Sequence, residues 1–322
     1  MNVHTDIEHL PEINKAVVTI GTFDGVHLGH QKIIAQLRAE AVRIGGETVI
    51  ITFHPHPRKV VHAGRDVRLL TTIEERVELL SAVGIDHLVI VPFTHDFSEL
   101  EPLEYVETFL KKKFNPSVVI IGYDHKFGKD RKGDYKLLED YSARGYFELK
   151  EIPQHVINHV TVSSTKIRDY IQNGEIAKAN ELLGYDFNFE GEVIKGDQRG
   201  RTIGFPTANL KVTNEEKIVP GNGVYAVNIL LSTLDSRLSF QGMMNIGVRP
   251  TVDGTKRTIE VNIFNFNEDI YERKVRVFVK GFLRGEKKFS GIEELKGQLE
   301  KDKVAAMQAN VIPSPGGARN LN

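Results

Sequence analysis

The fold is decided close to the N terminus, where residues 16–30 read AVVTIGTFDGVHLGH. Residues 16–20 are apolar or β-branched, which predicts a short strand that is buried on both faces. A glycine-rich turn follows directly, and the spacing of apolar residues in 30–43 then predicts an amphipathic helix. A strand that passes through such a turn into a helix is typical of a parallel α/β sheet.

The same alternation of elements continues through the first half of the chain. Short apolar runs at 48–53, 87–91 and 118–121 predict three more strands. The apolar spacing in 72–83 and 102–113 predicts the helices between them. Because strands and helices alternate, we expect a parallel sheet that is covered by helices.

The second half follows a different period. Apolar and polar residues alternate in 259–263 and in most of 274–279, which predicts an antiparallel sheet or barrel. One helix follows, with Ile292, Leu295 and Leu299 on one face. The change of period indicates a second domain with its own core.

The domain boundary is placed where a short predicted helix ends at Gly184. The first domain then covers residues 1–184 and the second covers residues 185–309. Residues 310–322 are rich in proline and glycine, and we expect them to form a disordered tail.

The composition excludes several classes of protein. Among 322 residues, 42 are Lys or Arg and 43 are Asp or Glu, which argues against a general nucleic-acid binder. The absence of cysteine excludes disulfides and thiolate metal sites, and it fits the cytoplasm, where we expect the protein. No apolar run approaches about 18 residues, so we expect no membrane partner. The sequence does not fix the oligomeric state, for which we expect a monomer or weak self-association.

Residues 21–30 carry the first candidate site. They follow the first predicted strand at the carboxyl edge of the sheet, where α/β proteins bind ligands. The glycines let the backbone approach a phosphate, and the helix N terminus attracts its charge. His27 and His30 lie one turn apart and could donate hydrogen bonds to a phosphoryl group in its transition state. An ordinary glycine-rich turn and a metal site are the alternatives.

Two more segments have the residue types of an anion site. Residues 162–168 read VSSTKIR, which predicts a helix start whose hydroxyls, Lys166 and Arg168 could hold an anion. Residues 191–209 read GEVIKGDQRGRTIGFPTAN, in which glycines and basic residues suit a polyphosphate, although a solvated hairpin loop is the alternative. Nowhere does Gly-Lys precede Ser or Thr, so a P-loop kinase fold is not expected.

Taken together, these motifs resemble one family. The His-x-Gly-His and Ser-Ser-Thr-x-x-Arg motifs are similar to those of the nucleotidyltransferase superfamily. With residues 53–57 (FHPHP), 122–128 and 204–209 (GFPTAN), the chain resembles bacterial bifunctional riboflavin kinase/FAD synthetases from about residue 17 to about residue 303. The resemblance implies an α/β N-terminal Rossmann-like nucleotidyltransferase domain. It also implies a C-terminal antiparallel β-barrel of the riboflavin kinase type with a closing helix.

The resemblance also implies the reactions. ATP would phosphorylate riboflavin to FMN in the second domain, and a second ATP would adenylylate FMN to FAD in the first domain, with release of pyrophosphate. ATP, riboflavin and FMN are then the substrates, and Mg²⁺ is the implied cofactor. Another nucleotidyltransferase with a different phosphorylated substrate and a flavin-binding sensor without turnover are the competing hypotheses.

In the adenylyltransferase domain, the resemblance assigns catalytic roles to His27, His30 and Arg168. The implied ATP-binding residues are Gly21, Phe23, Asp24, His27, Gly29, His30, Ser163, Ser164, Thr165 and Arg168. The implied flavin-binding residues are Pro55, His56, Asp124 and Phe127. His125 departs from the family, which usually has Phe or Tyr at this position.

In the kinase domain, the resemblance assigns ATP binding to Lys195, Gly196, Arg199, Gly200, Gly204, Thr207 and Asn209. Thr207 and Asn209 would also bind Mg²⁺, and Arg284 and Glu286 would contact the flavin.

Glu260 is the candidate general base of the kinase. The phosphate of FMN is already an anion, whereas the ribityl hydroxyl of riboflavin must lose a proton. In the predicted strand, Glu260 faces away from its apolar neighbours, so it lies either at the surface or in the open site. The family places its catalytic glutamate at this position.

Overall fold

The computed structural model describes residues 1–61, 67–122, 125–152, 162–196, 199–232, 237–251 and 254–309. The predicted tail at 310–322 and the candidate flavin-binding residue Asp124 therefore lie outside the described residues. By packing, the chain divides after Ser163 into two compact units.

The first unit contains a six-stranded sheet. Its strands are β1 (Asn2–His4), β2 (Val17–Ile20), β3 (Thr48–His54), β4 (His87–Pro92), β5 (Val118–Gly122) and β6 (Glu148–Ile152). Their order across the sheet is β1-β4-β3-β2-β5-β6, and every neighbouring pair is parallel. The predicted parallel sheet is confirmed.

Helices connect the strands of the first unit. They are α1 (Leu28–Ile44), α2 (Pro57–Val61), α3 (Ile73–Ala82), α4 (His95–Ser98), α5 (Pro102–Glu104), α6 (Lys112–Phe114) and α7 (Tyr135–Ala143). A π-helix, Tyr105–Lys111, joins α5 to α6, and a 3₁₀ turn spans Lys129–Arg131. The predicted helix at 102–113 thus changes its winding in the middle, where Tyr105, Val106, Phe109 and Leu110 are all buried.

The central strands are covered on both faces. Every residue of β2 is buried, and Val17 and Val18 pack into two different apolar clusters because successive side chains point to opposite faces. Helix α1 contributes Ile34 and Leu37 to one of these clusters. The prediction of a strand buried on both faces is confirmed.

Two strands of this sheet were absent from the sequence prediction. These are β1 and β6, which lie at the two edges of the sheet. An edge strand has one neighbour and exposes many of its side chains, so it lacks the apolar run that revealed the central strands.

The second unit contains a closed barrel of six antiparallel strands. They are β7 (Asn188–Ile194), β8 (Ala208–Val212), β9 (Gly223–Ser232), β10 (Arg237–Thr251), β11 (Gly254–Ile263) and β12 (Lys274–Arg284). The order around the barrel is β10-β11-β8-β7-β12-β9. Its helices are α8 (Ser164–Gln172), α9 (Ile176–Leu183), α10 (Arg199–Thr202) and α11 (Ile292–Ala309). The predicted antiparallel barrel with a closing helix is confirmed.

The closing helix α11 packs less deeply than its apolar spacing indicates. Leu295 and Leu299 are half-buried, and Ile292 is 54% exposed because this end of the helix borders an open cavity. The buried side chains of α11 are those of Asp302 and Ala306.

Helices α8 and α9 pack with the barrel, although they precede the predicted boundary at Gly184. The Asn180 side chain donates to the Val279 carbonyl at 3.0 Å and accepts from the Phe187 N–H at 2.9 Å. The Gly221 N–H donates to the Ile171 carbonyl at 3.2 Å. These bonds explain why the second compact unit begins at Ser164. The functional domain boundary between residues 184 and 185 remains a prediction.

Within the ranges that the structure describes, no helix is both long enough and apolar enough to span a lipid bilayer.

Candidate active sites

The loop between β2 and α1 is held in a strained conformation. Phe23 and Val26 have φ values of 48° and 35°, in the left-handed region that side chains with a Cβ rarely adopt. Both side chains are nevertheless buried in the core. The loop therefore keeps this shape because surrounding contacts stabilise it.

Asp24 fixes the loop from inside. Its side chain has no exposed surface, and its carboxylate accepts from the N–H groups of Leu70 at 3.1 Å and Thr71 at 2.9 Å. The Thr71 hydroxyl also donates to Asp24, at 3.2 Å, and accepts from the Gly25 N–H at 3.0 Å. Asp24 thereby ties the glycine-rich loop to the segment that precedes α3.

His27 caps the N terminus of α1. Its Nδ1 accepts from the His30 N–H at 3.3 Å, so the proton of a neutral His27 lies on Nε2. The two imidazole rings stack with their centroids 3.7 Å apart. The predicted proximity of His27 and His30 is present, and the cap leaves His27 Nε2 as a hydrogen-bond donor.

His30 lies between the rings of His27 and Phe23. Burial, followed by the nearby charges of His27 and Arg76, lowers the pKa of His30 well below its usual value. His30 is therefore neutral near pH 7 and donates through only one ring nitrogen. Its buried Nδ1 has no hydrogen-bond partner among the described residues.

The Ser-Ser-Thr-x-x-Arg motif marks the start of α8, as its N-cap residue types predict. Ser163 precedes the helix, and Ser164 and Thr165 lie in its first turn. Arg168 is half-buried one turn later, next to Ile167, whose buried side chain anchors the helix. The helix belongs to the second compact unit, whereas His27 and His30 belong to the first.

The candidate flavin-binding residues of the first unit lie in two loops. His56 is buried, and its Nδ1 accepts from the Arg58 N–H at 3.2 Å, just after the cis peptide bond that precedes Pro55. Phe127 is buried against Tyr105 at a ring distance of 4.9 Å. His125 lies 5.9 Å from the Phe127 ring.

The barrel carries a cavity of about 630 Å³ beside the closing helix. Five sequence-predicted residues line it, namely Gly200, Thr207, Glu260, Arg284 and Glu286. Its wall also contains apolar side chains, which are Ile203, Phe205, Val224, Met243, Met244, Val248, Phe289, Ile292, Leu295 and Leu299. The cavity therefore combines a wide apolar surface with polar and charged side chains, a combination that small-molecule sites also show.

A second cavity of about 510 Å³ adjoins the first at Thr207, which lines both. Arg201 and the aromatic residues Phe266 and Tyr271 contribute to its wall. Next to Thr207, the Pro206 carbonyl accepts from the Asn262 side-chain amide at 2.6 Å. This bond fixes the segment that separates the two cavities.

The glycine-rich loop of the second unit packs tightly where the motif has glycine. A Cβ at Gly196 would collide with the Asn209 side-chain amide, and one at Gly200 would collide with the Phe205 carbonyl. Gly204 has a φ of 85°, which favours glycine. Lys195 is exposed, and the side chain of Arg199 lies outside the described residues.

Arg284 and Glu286 have partners within the protein. The Arg284 guanidinium donates to both carboxylate oxygens of Asp302, from Nε to Oδ1 at 3.0 Å and from Nη2 to Oδ2 at 2.8 Å. Gln298 donates to the same carboxylate at 2.8 Å. Glu286 accepts from the Asn222 amide at 3.4 Å. Arg284 thus connects the end of β12 to the closing helix.

Sequence reasoning missed several polar residues at these sites. Thr71 and Arg76 support the first loop, and Asn262 and Asp302 support the cavity of the barrel. A signal was present for Asp302, which follows Leu295 and Leu299 on the apolar face of a predicted helix.

Comparison with known proteins agrees with the two-unit architecture. A FAD synthetase family model matches residues 10–166, and a riboflavin kinase model matches residues 183–310. The bifunctional riboflavin kinase/FMN adenylyltransferase of Listeria monocytogenes is 41% identical over 90% of this chain and 91% of the relative. The protein of that name from Bacillus subtilis is 36% identical over 91% of this chain and 92% of the relative.

A crystal structure described as a macrolide-efflux protein from Streptococcus pneumoniae also matches. It has a TM-score of 0.85 at 30% identity, over 95% of this chain and 98% of that one. Its description refers to macrolide efflux, whereas both family models and the curated relatives name flavin enzymes. The chain belongs to the bifunctional riboflavin kinase/FMN adenylyltransferase family, with an N-terminal FAD synthetase domain and a C-terminal riboflavin kinase domain.

Proposed function

We propose that two separate groups of residues perform the two reactions of this enzyme in series. The barrel converts riboflavin and ATP to FMN and ADP, and the loop after β2 serves the conversion of FMN and ATP to FAD and pyrophosphate. The observation that carries this proposal is Thr207, which lines two adjoining cavities beside Glu260. Two cavities that share one lining residue suit the two substrates of a phosphoryl transfer.

In the kinase reaction, riboflavin occupies the larger cavity, and its flat ring system lies on the apolar wall. ATP occupies the smaller cavity, where Phe266 and Tyr271 offer surfaces to the adenine. Arg201 offers a positive charge in the same wall as the acidic residues Glu268 and Asp269. The γ-phosphoryl group is then transferred at the junction beside Thr207. This assignment places the acceptor hydroxyl on the side of the junction that Glu260 lines.

Glu260 acts as the general base. Its carboxylate accepts the proton of the ribityl 5′-hydroxyl while the oxygen attacks the γ-phosphorus of ATP and the bond to ADP breaks. The half-buried side chain of Glu260 projects into the cavity from β11, and its neighbours Ile259 and Val261 are buried in the barrel. The barrel core therefore fixes the direction in which the carboxylate points.

Thr207 and Asn209 fit a magnesium ion by the chemistry of their donors. Mg²⁺ prefers oxygen ligands and usually binds through a few protein groups together with substrate phosphates. A hydroxyl and an amide oxygen provide such ligands, and Gly196 leaves room for the Asn209 amide. When bound, the ion would neutralise developing charge on the phosphates of ATP. Within the described ranges, no cluster of three or more His, Asp or Glu residues could hold a metal by itself.

In the adenylyltransferase reaction, a phosphate oxygen of FMN attacks the α-phosphorus of ATP, and pyrophosphate leaves. The nucleophile is already an anion, so this step requires positioning and charge stabilisation rather than a base. His27 donates through Nε2, His30 donates through one nitrogen, and Gly21, Phe23 and Gly29 shape the loop around the phosphates. Asp24 serves this site by fixing the loop from within.

Further residues receive their roles from the family motifs alone. Ser163, Ser164, Thr165 and Arg168 bind ATP phosphates in the adenylyltransferase reaction, and Arg168 also stabilises the transition state. Pro55, His56, Asp124 and Phe127 contact its flavin. Lys195, Gly196, Arg199, Gly200 and Gly204 form the phosphate loop of the kinase, and Arg284 and Glu286 border its flavin. The enzyme acts in the cytoplasm, where its ATP is made, as a monomer or weakly self-associating protein without nucleic-acid or membrane partners.

A time course tests this proposal with purified protein, riboflavin and Mg·ATP. We expect chromatography to show FMN first and FAD after a lag, and supplied FMN to abolish that lag. Chelation of Mg²⁺ stops both reactions. A protein that binds riboflavin without making FMN would instead be a flavin sensor. A protein that makes FMN but never FAD would require a different substrate for the first domain.

A further inference from the structure

Arg76 is a buried cation that none of the sequence motifs includes. It lies on α3 and is only 2% exposed. Burial of a charged guanidinium is costly unless other groups compensate for it. Thr72, the N-cap of the helix that carries Arg76, directly follows Leu70 and Thr71, the two residues whose N–H groups bind Asp24. Arg76 therefore belongs to the helix that follows the segment bound to the glycine-rich loop.

Hydrogen bonds connect Arg76 to this loop on a second side. Its Nη1 donates to the Thr52 hydroxyl at 3.1 Å, and that hydroxyl donates to the Thr22 carbonyl at 3.0 Å. The Arg76 Nε is buried and has no hydrogen-bond partner among the described residues. The loop is thus held at Asp24 and, two residues earlier, at Thr22, through the hydrogen bonds from Arg76 and Thr52.

The charge of Arg76 acts on the same loop. Burial lowers the pKa of Arg76, and the negative charge of Asp24 opposes that effect. The positive charge of Arg76 also contributes to the low pKa of His30. An uncompensated carboxylate beneath this loop would repel the phosphates of ATP, and a nearby guanidinium reduces that repulsion.

We propose that Arg76 is a positioning residue for FAD synthesis, which holds Thr22 in place through Thr52 and offsets the negative charge of Asp24 beneath the phosphate loop. The inference rests on the proposed role of this loop in binding ATP. It assigns Arg76 no contact with substrate, and it requires both the charge and the hydrogen-bonding reach of the side chain.

Full-length variants separate the charge from the packing of Arg76. Arg76→Met keeps most of the volume without the charge, and Arg76→Lys keeps the charge. Arg38→Met is the matched control, because Arg38 is an exposed arginine of the same unit that donates to the Val83 carbonyl. Urea unfolding of the same sample reports whether the first unit is folded, and phosphorylation of riboflavin reports that the second unit is intact.

We expect Arg76→Met to lower kcat/KM for ATP in FAD synthesis by about 10²-fold, the cost of a small misplacement of a reacting group. Arg76→Lys should recover most of that loss, and Arg38→Met should match the wild type. In Arg76→Met, the NMR titration of His30 should move up by a small amount, because burial, the largest cause of its low pKa, remains. The resonance is assigned through His30→Asn.

Equal activity of Arg76→Met and Arg76→Lys would overturn the proposal, as would a His30 titration that is the same in Arg76→Met and wild type. If Arg76→Met does not fold, the double variant with Asp24→Asn removes both charges and decides the question. The proposal requires this double variant to recover folding or affinity for ATP relative to Arg76→Met. If wild type itself makes no FAD, the proposed function fails instead.

Discussion

Glu260 and Asn209 lie directly opposite each other on the neighbouring antiparallel strands β11 and β8. Residues in such a position place their side chains on the same face of the sheet. The proposed base of the kinase and a proposed magnesium ligand are therefore neighbours, although they come from distant parts of the chain. Glu260 lines the larger cavity, and Thr207, just before β8, lines both cavities.

The first prediction concerns Glu260 as a base. We expect Glu260→Gln to lower the turnover of riboflavin phosphorylation by about 10²–10⁴-fold, the usual contribution of general-base catalysis. Glutamine keeps the size of the side chain but cannot accept the proton, so riboflavin affinity should change little. FAD synthesis from supplied FMN should be unaffected. Kinase turnover and riboflavin binding are measured side by side.

Glu192→Gln is the matched control, because Glu192 is a half-buried strand glutamate that lines neither of the two cavities described above. If the turnover of Glu260→Gln lies within about threefold of this control, Glu260 is an ordinary strand residue. Such a difference is far smaller than the ~10²-fold loss expected on removal of a general base.

The second prediction separates the two activities. We expect His30→Ala to lower FAD synthesis by about 10²–10³-fold. Removal of one hydrogen-bond donor that stabilises negative charge in a transition state typically has an effect of this size. Conversion of riboflavin to FMN should continue, because His30 lies in the first compact unit and the barrel lies in the second. His9→Ala removes an exposed histidine of the same unit and serves as the control. Loss of both activities in a folded His30→Ala protein would contradict the assignment.

The third prediction uses the low pKa of His30. In the folded protein His30 remains neutral at pH values where the unfolded chain, with a histidine pKa near 6.5, already binds a proton. The unfolded state then binds more protons, so the free energy of unfolding decreases as the pH falls below about 6.5. For one proton, the limit is about 1.4 kcal/mol per pH unit.

Urea unfolding of wild type and His30→Asn at pH 7.5 and pH 5.5 measures this effect. The variant should lose less stability between the two pH values than wild type does. Other histidines, such as His4 with its lowered pKa, contribute to both proteins and cancel in the comparison. The same loss of stability in both proteins would show that burial does not keep His30 neutral.

The sequence predicts those strands in which the pattern of apolar residues along the chain matches the burial of the side chains in the fold. The central strand at 16–20 is apolar because it is covered on both faces, and the alternation at 259–263 reflects one face inside the barrel. The edge strand Asn2–His4 escaped prediction, because it is stabilised by pairing with β4 rather than by an apolar run of its own.

In the candidate sites too, local sequence patterns predict some contacts, whereas others depend on residues that are distant in the chain. The spacing of His27 and His30 along a predicted helix start was enough to bring their rings together. The pairing of Glu260 with Asn209 depends on strand register, which no local pattern contains. Arg76 lies on the apolar face of its helix, three residues after Ile73, but a lone arginine gives no indication that the charge of a buried Asp24 will act on it.

The fourth prediction concerns the extent of the independently folding kinase. A fragment of residues 164–309 should fold and phosphorylate riboflavin, because it contains α8, α9 and the complete barrel. A fragment of residues 187–309 lacks Asn180 and so loses its bonds to Val279 and Phe187. Without α8 and α9, barrel residues that are buried in the full chain, such as Phe187 and Val279, gain exposure to water, so the shorter fragment should unfold at lower urea concentration.

Urea titration of the two fragments, with kinase assays on both, decides this point. In the longer fragment, Asn180→Leu should reproduce part of the loss of stability, whereas Asn173→Leu at an exposed position should not. Equal unfolding midpoints for the two fragments would show that α8 and α9 contribute nothing to the barrel.

The last prediction concerns the bidentate pair of Arg284 and Asp302. Arg284 ends β12 and Asp302 is buried on the closing helix, so the pair joins two walls of the larger cavity. Asp302→Asn removes the charge of the buried carboxylate and leaves the half-buried guanidinium of Arg284 without its counter-ion, which is unfavourable. The helix should then close the cavity less firmly. We expect the KM for riboflavin to rise at least about tenfold, equivalent to about 1.4 kcal/mol.

Glu300→Gln, at an exposed acid of the same helix, should leave the KM unchanged. FAD synthesis from supplied FMN should be the same in both variants, and a KM for riboflavin in Asp302→Asn equal to that of Glu300→Gln would mean that the pair does not shape the riboflavin site.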